Sequence, residues 1–242
     1  MRPTPGTLIR VTPRYSVAAG RRSTWAAVER IRLGDGEAAA VVEEVRALIA
    51  AETECTVVSW WVSDRSTPLD AEAQLLDAGL KIIRDDYLVD GLLATTAPPD
   101  GPPEIEVRPV ASLDEFVEVR MLQEEVFGMP PERRRTREQL AAEYRTVDGV
   151  LYGAWIDGRL AGAGGATSAT RGLLIWGGAT AEWARGRGAY RALVRARWDE
   201  AVARGTPALT VGANASSGPI LTRLGFEKVV QFRRLDDVLS RT

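Results

Sequence analysis

Histidine is absent from this 242-residue chain. That removes Ser-His-Asp and Cys-His nucleophile schemes and the usual zinc sites, all of which need an imidazole. Cys55 is the only cysteine, so no intrachain disulfide and no CxxC motif exists. A lone thiol in an apolar stretch reads as a small buried hydrophobe. Lysine is nearly missing: only Lys81 and Lys228 accompany the many arginines, and the net charge is −2. General nucleic-acid binding rests on a strong basic excess, so no nucleic-acid partner is expected. No run of about 18 apolar residues occurs, which argues against a membrane span. The Pro/Arg-rich start has no apolar h-region and so is not a signal peptide, making a cytoplasmic location the expectation.

What is there suggests two small domains. Residues 1–22 read as an irregular or partly extended arm. Ser23 and Thr24 offer a cap for a short helix over 25–33, and 34–36 is a Gly-Asp-Gly turn. A helix over 37–52 follows from the apolar stripe Val41, Val45, Leu48 and Ile49. Residues 55–62 are β-branched and aromatic enough for a strand, on which Trp60 and Trp61 must face opposite ways. Trp60 and Trp61 suit core or domain contact better than a pocket wall. A helix should start near Pro68, end at Ala78 and stop at Gly79. Residues 82–93 hold one or two strands. The proline-dense run over 95–103 blocks both helix and ladder, so it reads as a linker. The division expected is 1–97, a linker over 98–103, and 104–242.

The second half begins with a strand over 105–109 and helices over 113–123 and 136–145. The triplet Arg133, Arg134 and Arg135 reads as a solvated charged surface. Strands over 150–156 and 160–166 flank Asp157-Gly158, a good hairpin turn. Further strands are expected over 173–180, 208–211 and 229–234, with helices over 189–204 and 218–224. One crossover helix in an antiparallel series predicts an α+β fold and not a dinucleotide-binding one.

The clearest chemistry lies at Arg185-Gly186-Arg187-Gly188, between a strand and an amphipathic helix. Glycines let backbone N–H groups approach a ligand, the helix N-terminus adds partial positive charge, and arginines stand beside it. Such a turn suits a pyrophosphate. The third glycine and following acidic residue of the dinucleotide fingerprint are missing, as is the Gly-Lys-Ser/Thr of a P-loop.

These residues resemble a known family. Arg185-x-x-Gly188 after a strand, then an amphipathic helix, a strand leading to Asn214, and Leu224-Gly225-Phe226 are similar to the GNAT superfamily of acyl-CoA N-acyltransferases. Its hallmark is Q/R-x-x-G-x-G/A at the start of the crossover helix. The resemblance covers about residues 105–235. It implies a mixed, mainly antiparallel sheet flanked by helices. Leu75 to Ile83 echoes Ile220 to Val230, so the first half resembles a partial, degenerate GNAT-like domain without the Arg/Gly turn.

The resemblance also implies acetyl-CoA as donor, no metal, and the primary amine of a small molecule as acceptor, with no membrane partner. Gly178, Ala179 and Thr180 would end a splayed strand whose backbone pairs with the pantetheine amide. Backbone N–H groups of Gly186, Arg187, Gly188, Ala189, Tyr190 and Arg191 would hold the pyrophosphate, helped by Arg185 or Arg187. Asn214 and Ser217 would border the pantetheine arm. Two residues depart from the pattern. Tyr190 replaces the last Gly or Ala, and Leu221 stands where many members carry a tyrosine that acts as the general acid. Glu182 is the candidate catalytic base. Asp148, Glu124 and Glu125 border the acceptor side, and solvent or a carboxylate of the first half are alternatives. A catalytically degenerate acyl-CoA-binding or regulatory module is the competing function.

Overall fold

The computed structural model describes residues 7–20, 26–82, 88–147 and 149–239. The chain divides into two compact units. One holds Arg2–Gly91 together with Val229–Thr242, and the other holds Leu92–Lys228.

The first unit starts with β1 (Thr7–Val11) and β2 (Ser16–Gly20), followed by β3 (Ala26–Glu29), α1 (Ala38–Glu52), β4 (Val57–Ser63) and α2 (Ala71–Asp77). Residues 7–20 of the arm expected to be irregular or partly extended are therefore a paired hairpin of two extended strands. Leu8, Tyr15, Val17 and Ala19 turn inward, and Pro13 sits in the connection, where its missing N–H costs no ladder bond. The helix expected over 25–33 is instead a strand from Ala26. Ala26 and Val28 are buried while Ala27 and Glu29 are not, a period of two, and β3 pairs with both β2 and β4. Ser23, Thr24 and Trp25 lie outside the described residues. α1 follows the expected stripe and buries Val41, Val42, Val45 and Ile49. On β4 the alternation decides the tryptophan pair: Trp60 is fully buried in this unit's core and Trp61 is half-buried on the other face. Cys55 is buried too, its thiol 3.6 Å from the Gly20 carbonyl.

β5 (Leu88–Ala94) leads into the second unit, where β6 (Glu106–Pro109), α3 (Leu113–Val126), α4 (Arg137–Tyr144), β7 (Val150–Ile156), β8 (Arg159–Ala169) and β9 (Gly172–Thr180) follow. Then come α5 (Ala189–Ala203), β10 (Leu209–Ala213), α6 (Gly218–Arg223) and β11 (Glu227–Val238). β6, β7, β8 and β9 form an antiparallel series, and β10 joins β9 in parallel after the α5 crossover. α3 is capped by Ser112, whose Oγ accepts from the Glu115 N–H, and α4 by a capping box of Thr136 and Gln139. This α+β arrangement of a mostly antiparallel sheet with flanking helices is the one expected.

Two boundaries differ from expectation. The proline-rich run does not hang free. Pro98 accepts a hydrogen bond from Arg195, Asp100 pairs with the same guanidinium, and Gly101 lies so close to α5 that a Cβ there would meet Ala192 at 2.6 Å. The run is thus a strap on α5 within the second unit. The final strand leaves the second unit at Val229, because β11 pairs antiparallel with β4 from Phe232↔Ser63 to Val238↔Val57. Its buried Asp236 and Asp237 are held by Arg234 and Arg46.

The internal echo takes the same form in both units. Leu80 N–H donates to Leu75 and Gly79 N–H to Leu76; Phe226 N–H donates to Leu221 and Gly225 N–H to Thr222. Each glycine has positive φ, 98° and 92°. Both helices therefore end in the same Schellman closure before a return to extended chain. Among the described residues no helix is long and apolar enough to cross a membrane.

Candidate functional site

The site begins with a defect in a strand. On β8 and β9, Gly165 faces Trp176 but Ala163 faces Ala179, so β9 carries an extra residue between them. Such a bulge bends the strand and increases its twist. Gly177 supplies the bend with φ 63°, a conformation that L side chains resist. Pairing of β9 with β10 covers only Leu173↔Leu209 and Leu174↔Thr210. Past Leu174 the register of the two parallel strands does not continue, and a cleft of about 810 Å3 lies in the second unit at that end of β9.

The bulge is fastened from α3. The Gln123 side-chain amide donates to the Gly177 carbonyl at 2.6 Å, and its own oxygen accepts from Arg120 at 2.6 Å. Arg120 also pairs with Glu143, and Arg135 joins Glu143 to the buried Glu124. Arg135 is therefore part of a bracing network and not the solvated surface expected, while Arg134 donates to the Met129 carbonyl.

Ten of the residues expected to hold the donor line this one cleft: Gly178, Ala179, Thr180, Arg185, Gly186, Gly188, Ala189, Tyr190, Arg191 and Ser217. The Arg/Gly turn works through two positive-φ glycines, Gly186 at 77° and Gly188 at 89°, the latter being the αL N-cap of α5. The first-turn N–H groups of a helix have no carbonyl ahead of them, so those of α5 are free for an anion. Arg185, Arg191 and Arg223 line the cleft, and among the described residues no carboxylate does. Phosphate oxygens suit guanidinium donors of this kind.

Three expected residues are not among that lining. Arg187 sits 5.4 Å from the centroid of the Trp183 ring, over which Arg159 also stacks. Its backbone N–H donates to the Ala184 carbonyl at 3.2 Å, so it shapes the turn and offers no donor to a ligand, and its guanidinium turns to the indole. Asn214 is a turn-builder: its Oδ1 accepts from the N–H groups of Ser216 and Ser217 and from both hydroxyls. It thereby delivers Ser216 and Ser217 to the cleft. Glu182 is exposed in a 3-10 turn after β9 and does not line the cleft. Among the other candidate bases, Glu124 is committed to Arg135, Glu125 is exposed, and Asp148 lies outside the described residues. Leu221 is fully buried in the core.

Tyr190, the odd residue of the motif, lies edge-on to Gly178. A Cβ at 178 would come within 2.5 Å of its Cε2. The ring is accommodated because β9 carries a glycine there, 12 residues earlier in the chain. Burial pushes the Tyr190 hydroxyl above its ordinary pKa, and Arg197 pulls the other way. Arg197 is fully buried on α5, bonded only to the carbonyls of Leu193 and Gly165, and burial lowers its pKa to about 10. Gly164 makes room for it, since a Cβ there would stand 2.8 Å from Nη1. Gln123, Arg223, Ser216 and Arg197 carry no motif signal; only the fold brings them to the site or behind it.

No protein-family model matches the chain, and no curated protein matches it. Solved structures do. A GCN5-related N-acetyltransferase from Kribbella flavida superposes with a TM-score of 0.69 at 16% identity, over 96% of this chain and 90% of that one. A tandem GNAT protein from the clavulanic acid biosynthesis pathway does so at 0.68 and 16%, over 99% and 86%. A GCN5-related N-acetyltransferase from Sphaerobacter thermophilus gives 0.67 and 17%, over 94% and 77%. The chain has the GNAT fold, and the likeness to the tandem protein takes in nearly all of it, the N-terminal unit included.

Proposed function

We propose that this protein is an acyltransferase that passes the acetyl group of acetyl-CoA to a primary amine of a small molecule. The observation that carries the reading is the cleft itself. It opens where β9 leaves β10, exposes backbone beyond a bulge, and closes on a glycine turn with three guanidinium groups and no carboxylate. A pantetheine arm needs an unpaired strand edge for its amides, and a pyrophosphate needs a helix N-terminus with cations. The cleft offers both, in that order.

The chemistry follows from what lines the site. The unprotonated amine attacks the thioester carbonyl carbon, a C–N bond forms, and the C–S bond breaks to release CoA. Transfer is direct. The chain has no histidine, so the Thr180, Ser216 and Ser217 hydroxyls of the cleft have no imidazole to activate them, and the one thiol, Cys55, is buried in the core of the other unit. Holding donor and acceptor together is the main contribution, and well-oriented intramolecular reactions gain as much as about 7–11 kcal/mol this way. Backbone N–H groups near Thr180 stabilise the developing oxyanion. The ammonium gives its proton to solvent before attack, and the described residues of the cleft lining include no carboxylate that would compete for it. Glu182, in its exposed turn, is not needed as base.

The test is release of free thiol from acetyl-CoA across a panel of small amines, read beside calorimetric binding of acetyl-CoA. Binding with amine-dependent thiol release is the expected result. Binding without turnover on any amine would favour the competing reading of an acyl-CoA-binding module, and no binding would remove both.

A further inference from the structure

The strap over 98–102 runs against the direction of α5 and ends on the turn that opens the helix. Pro98 offers its carbonyl to Arg195 at 3.3 Å, and Asp100 pairs with the same guanidinium. Nearer the start of α5, a Cβ at Gly101 would meet both Cα and Cβ of Ala192 at 2.6 Å. One turn further on, a Cβ at Gly188 would meet Pro102 Cγ at 2.6 Å and Cδ at 2.9 Å. Positions 188, 192 and 195 recur at helical spacing and share one face of α5. Gly101 is not among the glycines with positive φ, so what it supplies is close approach and not an unusual backbone.

The start of α5 needs such a support. α3 and α4 are held at their first turns by the side chains of Ser112 and Thr136. α5 has no side-chain cap, and its N-cap is Gly188 in the left-handed conformation at φ 89°. A capping side chain would occupy the N–H groups that an anion requires, so a cap that leaves them free must be held from outside. Pro102 does this without competing. It has no N–H of its own, and its carbonyl accepts from the Ile105 N–H at 3.1 Å. The one carboxylate of the strap, Asp100, is neutralised on Arg195. The described lining of the cleft includes Gly188 and no residue of the strap.

We infer that the strap belongs to the donor site, with Gly101 and Pro102 as positioning residues that hold the Gly188 cap where the α5 N–H groups meet the pyrophosphate. This rests on the acetyl-CoA site proposed above. Gly101 lets the strap seat on Ala192, and Pro102 then bears on Gly188. Their action reaches the donor through the turn alone, so it concerns the phosphates and not the thioester, which is assigned to the β9 end of the cleft. The strap therefore contributes to donor binding and leaves the chemical step untouched.

The experiment compares the full-length wild type, Pro102→Ala, Gly101→Ala and a control, Ala201→Gly. Each is titrated with acetyl-CoA by calorimetry and, in competition, with S-acetylpantetheine, which lacks the nucleotide and its phosphates. The kcat with the best amine of the panel and the melting temperature are measured alongside. Pro102→Ala takes the ring from Gly188 without creating a clash, and Gly101→Ala wedges the strap off Ala192. Both should weaken acetyl-CoA binding by about 5-fold, the low end for coupling between separate sites, with kcat at saturation unchanged. Affinity for S-acetylpantetheine should stay as in the wild type, a split that a merely structural role would not produce. Ala201 is fully buried on the opposite side of α5, so Ala201→Gly weakens the helix away from the strap and should leave both affinities unchanged. Wild-type acetyl-CoA affinity in Pro102→Ala, or an equal loss for both donors, would overturn the role and leave the acyltransferase reading intact. A wild type that binds no acetyl-CoA would remove that reading and this inference with it.

Discussion

Gln123 Nε2 donates to the carbonyl oxygen of Gly177 at 2.6 Å, so α3 holds the residue at which β9 bends. Gln123 is itself only 2% exposed, and its amide is oriented by Arg120. Gln123→Leu leaves a turned carbonyl without its donor and a guanidinium without its acceptor. The expected cost is about 1–3 kcal/mol of stability. Because the bulge shapes the cleft, affinity for acetyl-CoA should fall as well. Denaturant unfolding and calorimetry on the same variant check both.

The two glycines of the turn are separable by substitution. Gly186 has φ 77° and nothing within 4 Å of a built Cβ, so Gly186→Ala carries only the left-handed backbone penalty, about 1–2 kcal/mol. Gly188 has φ 89° and Pro102 at 2.6 Å, so Gly188→Ala must also displace the strap. The second variant should lose clearly more melting temperature and more acetyl-CoA affinity than the first. Equal losses would count against a docked strap.

The cleft arginines predict a salt signature. Arg185→Ala, Arg191→Ala and Arg223→Ala should each weaken acetyl-CoA binding and flatten its dependence on ionic strength, because each removes a phosphate partner that competes with salt. Arg187→Ala, whose guanidinium stacks on Trp183, should change affinity little. Repeating the titration with dephospho-CoA identifies which arginine faces the 3′-phosphate, since that variant loses nothing further.

In the other unit, Tyr15 is buried and donates to Glu44 at 2.7 Å, and burial pushes its hydroxyl up to about 12. Unfolded tyrosine ionises near 10. Between those values the unfolded chain gives up the proton that the folded chain keeps, so this contribution to stability is present below pH 10 and is lost as pH rises toward 12. Melting temperature should decline over that window, and Tyr15→Phe should flatten the decline.

Arg197→Met should fold at least as stably as the wild type. It replaces a buried guanidinium that has an unpartnered Nη2 and no carboxylate with an apolar chain of similar length. Such exchanges of buried charge for packing are often neutral or stabilising. A midpoint several degrees lower would show that the carbonyl contacts to Leu193 and Gly165 outweigh desolvation.

Local chemistry made much of this protein legible from its residues. The helix over 37–52 follows from Val41, Val45 and Ile49 at helical spacing, and that periodicity holds whatever packs against it. Asp157-Gly158 dictates a hairpin because few other pairs accept its backbone, and both residues have positive φ. Arg185-Gly186-Arg187-Gly188 announces an anion site for the same reason. Each of these signals is complete within a few neighbouring residues. The strand at Ala26 was not legible in this way, since four small residues specify neither period until β2 and β4 flank them.

By itself, then, the sequence determined the strongly periodic helices, the hairpin at Asp157-Gly158, the glycine turn and the resemblance to a family of acyl-CoA enzymes, because those depend on short-range sterics and spacing. Tertiary structure alone decided that β11 returns to β4 across some 170 residues, that Gln123 ties down a bulge 54 residues away, and that Tyr190 fits because Gly178 is bare. It also decided that Glu182 stands outside the cleft and that Arg197 is buried behind it. Those outcomes depend on which surfaces meet when apolar faces are buried, and no local window of sequence contains both sides of such a contact.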